Sequence, residues 1–83
     1  MTWRVFVRGA AEADFERLDP SDQQVVSAEL FTWVDQGPPR QTRRDVLGVE
    51  MFDDVVAGSY RIVYFVDEGQ QSILVVTIRR RPS

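Results

Sequence analysis

The sequence predicts an α+β fold: a strand, a helical hairpin, then a three-stranded antiparallel meander, forming one sheet with the helices packed on one face. Three observations carry this reading. The chain begins with a short two-residue alternation, continues through two segments of helical spacing, and ends in three apolar runs separated by short turns. Runs joined so tightly must pair consecutively and antiparallel. At 83 residues the chain is expected to be a single domain over 1–83, since two separate cores would not fit.

Each element has its own signal. In Thr2–Arg8, Trp3, Val5 and Val7 alternate with Arg4, Phe6 and Arg8, the period of a strand. In Ala10–Leu18, Ala11, Phe15 and Leu18 fall at i, i+4 and i+7 among Glu12, Asp14, Glu16 and Arg17, which predicts a short amphipathic helix. Asp19-Pro20-Ser21-Asp22 starts a second helix: Asp19 can accept free first-turn amide protons, Pro20 suits the first helical position, and Asp22 favours the positive helix end. Its core stripe is Val26, Leu30, Trp33 and Val34, flanked by Val25 and Phe31, and it stops at Gly37 before Pro38-Pro39.

Pro38–Asp45 reads as a loop rich in Arg and Gln, and the strands are expected at Val49–Ala57, Ser59–Asp67 and Gln71 to about Arg80. The run SYRIVYFV is apolar or aromatic on both faces apart from Arg61, which marks the central strand of the meander; ILVVTI has the same two-sided character. The first strand must insert beside a later one, because a lone strand leaves its backbone groups unpaired.

Composition narrows the chemistry. All ten basic residues are Arg, set against 13 acids for a net charge of −3, and there is no His and no Cys. Thiol nucleophiles, Ser-His-Asp triads, imidazole bases, the usual zinc ligand sets and disulfides are thereby excluded. No apolar run approaches a membrane span, and the start of the chain lacks signal-peptide character, so a soluble cytoplasmic protein is expected. A chain this short buries only about 60–65% of its unfolded surface, which suggests marginal stability alone and completion by a partner or by self-association. The charge is uneven: residues 1–37 sum to −4 and residues 38–83 to +1. The late positive charge comprises Arg40, Arg43 and Arg44 in the loop, Arg61 in an apolar run, and Arg79, Arg80 and Arg81 after the last apolar run.

From the early strand through WVDQGPP, Leu47-Gly48, AGSYRIVYFVDE and ILVVTIRRR, the chain resembles the RelE/ParE superfamily of bacterial toxins. The YRIVY run at Tyr60–Tyr64, followed by a strand ending in basic residues, is its most specific part. The RelE-like branch, which length and YRIVY favour, implies a type II toxin that cleaves messenger RNA on the ribosome and is neutralised by a cognate antitoxin in a hetero-oligomer. The ParE-like branch implies a gyrase inhibitor. No metal or organic cofactor is implied, and no membrane partner.

Cleavage by the RNA's own 2′-hydroxyl needs a proton acceptor, positive donors for the charge building on the phosphate, and an acid for the leaving oxygen. Arg61 is the first candidate for the positive role: an unpaired guanidinium in a core-like run carries a heavy desolvation cost, and the family's strand arginine falls here. The alternative is a structural pair with Asp53 or Asp54. The family's second catalytic arginine aligns with Arg81; Arg79 and Arg80 are candidate phosphate contacts, with a solvated basic tail as the alternative. Alternation sends Arg79 and Arg81 to one face and Arg80 to the other. Arg43 and Arg44 are candidate RNA contacts on a loop where plain solvation is the alternative. Tyr60 and Tyr64 face away from Arg61 and read as core rather than base-stacking groups.

The sequence also departs from the family. Where RelE-like enzymes carry basic residues before YRIVY it reads Phe52-Asp53-Asp54-Val55, and where they carry an aromatic or histidine group beyond the last strand it reads Arg81-Pro82-Ser83. Asp54, or Asp53, is the candidate proton acceptor if burial raises its pKa, against a structural or surface role. These departures keep open a non-nuclease member of the fold acting through antitoxin binding, and a small interaction domain sharing only the fold.

Overall fold

The computed structural model describes residues 2–45 and 47–81. Strand β1 (Arg4–Val7) is followed by helices α1 (Ala10–Glu16) and α2 (Pro20–Gln36), then by strands β2 (Met51–Val56), β3 (Tyr60–Asp67) and β4 (Ser72–Arg80). The sheet order is β1-β4-β3-β2; β1 lies parallel to β4 and the other pairs are antiparallel. The predicted meander is present, and β1 does insert beside a later strand, making both β3 and β4 internal. No helix among the described residues is long and apolar enough to cross a membrane.

The helices cover one sheet face. Ala11, Val26, Leu30 and Trp33 meet Phe52, Val56, Tyr60, Ile62, Tyr64, Val66, Ile73, Val75 and Ile78 in one core, with Trp3, Val5, Val7, Phe15 and Leu18 packed at its margin. Of the expected α2 stripe, Val34 is only half-buried, and the flanking Phe31 is 73% exposed. The helix end is fixed by close approach. Gly37 has φ +84°, and a Cβ there would lie 2.8 Å from Trp3 Nε1, so neither backbone nor space admits a side chain.

Two departures from regular alternation shape the site. Asp14 on α1 is buried, contrary to its polar place in the helical pattern. Its Oδ2 accepts the Ile78 N–H at 3.1 Å, on the stretch of β4 that runs past the end of β1 and would otherwise lack a partner. The second departure is a bulge. Ile62 pairs with Ile78 and Val63 with Thr77, but Tyr64 pairs with Val75, so Val76 is an extra residue in β4. Ile73 and Val75 are buried before it and Ile78 after it, so the strand's phase inverts there.

The loop before β2 is tied down more firmly than its composition suggests. Asp53 N–H donates to the Thr42 carbonyl (2.9 Å), Arg44 N–H donates to that of Met51 (2.6 Å), and Arg43 bridges Phe52 antiparallel. Residues 42–44 thereby cover the outer edge of β2.

Candidate functional site

The sheet face away from the helices carries the charged cluster. Register places Arg61 directly opposite Arg79 on β4 and opposite Val55 on β2. Because the bulge inverts β4, Thr77, Arg79 and Arg81 share this open face with Arg61 and Val63, and these residues, with Arg80 at the rim, line a groove of about 390 Å³. Arg81 is held beside the turn by its N–H, which donates to the Ser59 carbonyl at 2.7 Å. Two like charges directly across an antiparallel pair oppose folding. Arg79 and Arg81 form no ion pair among the described residues. Of the directly opposed pair, Arg61 alone has an internal counter-charge, the Asp53 carboxylate.

Arg61 itself is paired. Its Nε donates to Asp53 Oδ1 at 2.7 Å and its Nη2 donates to Asp53 Oδ2, while Arg44 Nη2 lies 3.3 Å from the same Oδ2. The Arg61 side chain is 51% exposed and that of Asp53 only 6%, so the carboxylate sits beneath the guanidinium groups. The hydrogen bonds from Arg61 hold the Asp53 carboxyl below the usual carboxylate range, outweighing the opposing effect of burial. The same contacts raise the Arg61 pKa further, so it remains a fixed cation. Of the two structural partners the sequence leaves open for Arg61, register selects Asp53.

Asp54 lies on the opposite, helix-covered face and is fully buried. The expectation that it accepts a proton beside Arg61 is therefore corrected. Its Oδ1 accepts the N–H groups of Gln41 (2.9 Å) and Thr42 (3.1 Å), and its Oδ2 accepts the Tyr64 hydroxyl proton. Tyr64 Oη in turn accepts the Arg40 N–H at 2.9 Å, and burial followed by the Asp54 contact pushes its phenol well above the ordinary value. Asp54 and Tyr64 are thus a buried fastener for the loop that carries Arg44. Tyr60 is core as well, and its hydroxyl donates to Asp22 in the first turn of α2.

The remaining arginines divide. Arg80 pairs across the sheet with Tyr60, and its Nη1 reaches Asp22 Oδ2 at 3.4 Å, so its guanidinium is tied toward α2 while the residue still borders the groove. Arg43 is paired locally with Asp45 at 2.8 Å and exposed; only Arg44 turns to the cluster. Farther along the open face, Phe6, Phe65, Leu74, Leu47 and Val49 form an apolar trough. Sequence periodicity does not isolate this trough, because its members come from three strands and a loop. The 98% exposure of Leu47 is its clearest single sign, and it emerges only from the folded chain.

With this geometry in hand, comparison with solved structures is decisive for the fold. The chain superposes on the archaeal RelE–RelB complex of Pyrococcus horikoshii with a TM-score of 0.80 at 17% identity, covering 98% of this chain and 97% of that one. The chain has the RelE fold. It matches the RelBE2 toxin–antitoxin complex of Mycobacterium tuberculosis with a TM-score of 0.76 at 19% identity over 98% of this chain and 100% of that one. The intact RelBE toxin–antitoxin complex of E. coli gives 0.72 at 12% identity over 98% and 99%. No family model and no curated protein sequence matches the chain. At these identities the RelE likeness is one of fold, and the chemistry rests on the residues themselves.

Proposed function

We propose that the protein is the toxin of a type II toxin–antitoxin module that inhibits translation by cleaving messenger RNA on the ribosome and is held inactive by a cognate antitoxin. The observation that carries this reading is the arginine cluster on the uncovered face of a RelE fold: Arg61 and Arg79 in direct cross-strand register, with Arg81 on the same face. The solved relatives are toxin–antitoxin complexes, which supports an antitoxin partner here.

Arginine suits one part of the reaction. As the RNA 2′-oxygen bonds to phosphorus and the bond to the 5′-oxygen breaks, negative charge builds on the non-bridging oxygens, and planar guanidinium groups pair with two of them at once. Arg61, Arg79 and Arg81 hold and stabilise that phosphate, with Arg44 at the edge. They do not move protons, because guanidinium does not titrate near neutrality.

A second reading is favoured by one specific observation. Asp53, the carboxylate among these arginines, is ion-paired and held in its charged, hydrogen-bonded form, while Asp54 is committed to the loop behind the sheet. A chain whose own face supplies charge but no free base is consistent with a non-nuclease member of the fold, acting on gyrase or through antitoxin binding alone. Brief induction followed by sequencing of RNA ends separates the two. The first reading expects new 5′ ends within coding sequence and arrest of translation, both lost in Arg61→Ala. If folded, antitoxin-free wild type leaves RNA ends and growth unchanged, the nuclease reading is refuted.

A further inference from the structure

We propose that Asp53 is a positioning residue that joins Arg61 and Arg44 into a single phosphate-binding edge, so that this carboxylate strengthens rather than weakens the hold on RNA. The inference rests on the RNA reading above and adds to it a role for an acid in an otherwise cationic patch.

The geometry of the guanidinium carries the argument. Asp53 takes the side-on edge of Arg61: Nε donates to Oδ1 at 2.7 Å and Nη2 donates to Oδ2. A guanidinium has five N–H donors, so side-on pairing uses two and leaves Nη1 with the second Nη2 proton as a free end-on fork. That end-on fork is also a bidentate donor edge, and it stays available to two phosphate oxygens. No further acceptor of Arg61 is present among the described residues, and its side chain is half exposed beside Arg79 and Arg81. The carboxylate therefore does not compete for the fork.

Asp53 also reaches a second element. Its Oδ2 lies 3.3 Å from Arg44 Nη2, and Arg44 belongs to the loop laid along β2. One buried carboxylate thus fixes a strand arginine and a loop arginine together. An unpaired arginine side chain is long and rotamer-rich, and ordering two of them costs free energy at the moment of binding unless it is done beforehand.

The sign of the effect makes this testable. Removing Asp53 raises the net charge of the patch by one, and charge alone then tightens binding to an anionic strand. Positioning predicts the reverse. The probe is a fluorescein-labelled single-stranded oligoribonucleotide of mixed sequence, read by anisotropy at fixed salt with the full chain, folding of each variant being checked by circular dichroism. Asp53→Ala is expected to weaken binding by about tenfold, the scale of one charge-assisted contact. Asp53→Asn, which keeps the shape and one acceptor, is expected to fall between it and wild type.

The background decides whether the effect acts through the arginines. In Arg44→Ala/Arg61→Ala, Asp53→Ala is expected to lose its weakening and tighten binding slightly through charge. A merely structural contribution of Asp53 would weaken both backgrounds alike, which overturns the proposal. Should Arg61→Ala weaken binding while Asp53→Ala tightens it or leaves it unchanged, the role of Asp53 is overturned and the RNA reading survives. If Arg61→Ala and Arg44→Ala both bind like wild type, the RNA reading of the patch fails, and the Asp53 proposal with it.

Discussion

Replacing Asp54 by Asn separates a structural carboxylate from a catalytic one. In the folded chain Asp54 is fully buried and satisfies three donors: two backbone N–H groups of the loop on Oδ1 and the Tyr64 hydroxyl on Oδ2. Asn keeps one oxygen for the loop amides and turns its NH2 toward Tyr64 Oη. That oxygen already accepts the Arg40 N–H and can accept again, but the hydroxyl proton is left without an acceptor. A buried donor left unpaired costs about 1–3 kcal/mol, and the two amide bonds also lose their charge assistance, so a loss of about 2–4 kcal/mol is expected. A domain of this size has only about 4–12 kcal/mol in total, so the effect is large. Urea unfolding followed by Trp33 fluorescence is the assay, because Trp33 packs on Tyr64 with ring centroids 4.7 Å apart. Tyr64→Phe removes the same hydroxyl contact, so the double variant should lose less than the two single losses together. Wild-type stability in Asp54→Asn combined with lost RNA cleavage would refute this reasoning and return Asp54 to the chemistry.

Three further outcomes are expected. Arg79→Ala and Arg81→Ala should each weaken RNA binding and lower the salt slope by about 0.7, the value for one single-strand phosphate contact, whereas Arg80→Ala, whose guanidinium is tied to Asp22 at the groove's rim, should have the smaller effect on both; equal losses at all three positions would contradict the face assignment. Gly37→Ala should destabilise the fold by about 1–3 kcal/mol in thermal or urea unfolding, because the left-handed backbone and the 2.8 Å approach to Trp3 both oppose a Cβ. The depressed pKa of Asp53 means that its folded state binds fewer protons than the unfolded chain as acid is added. The stability it contributes is therefore complete above the unfolded value of about 3.9 and is lost as pH falls through the lower folded value. Asp53→Asn should flatten that part of the acid titration, and an unchanged acid limb would count against the pairing.

Much of the candidate site is legible in the amino-acid sequence. Arg61 stands out because a guanidinium in SYRIVYFV has no place in a core, and the folded chain does turn it outward while Tyr60, Ile62 and Tyr64 turn inward. Its two neighbours on β2 are less legible. Asp53 and Asp54 are adjacent and chemically equivalent, so local pattern allows either to meet Arg61. One residue of register sends the first to the open face, where it pairs with Arg61, and the second into the core, where it fastens the loop.

The sequence by itself determined the order of elements, the antiparallel meander, the core character of YRIVY and the concentration of arginine in the second half. Each follows from local periodicity, turn chemistry or composition, which need no distant partner. Only the tertiary structure decided which charges meet. Counting by twos from Ile73 places Arg79 and Arg81 under the helices and Arg80 beside Arg61. The extra residue at Val76 reverses this, releasing Arg79 and Arg81 to the open face and sending Arg80 to Asp22. Alternation fixes parity within one strand, but the phase between strands depends on register and on bulges, and those arise from packing across the whole sheet.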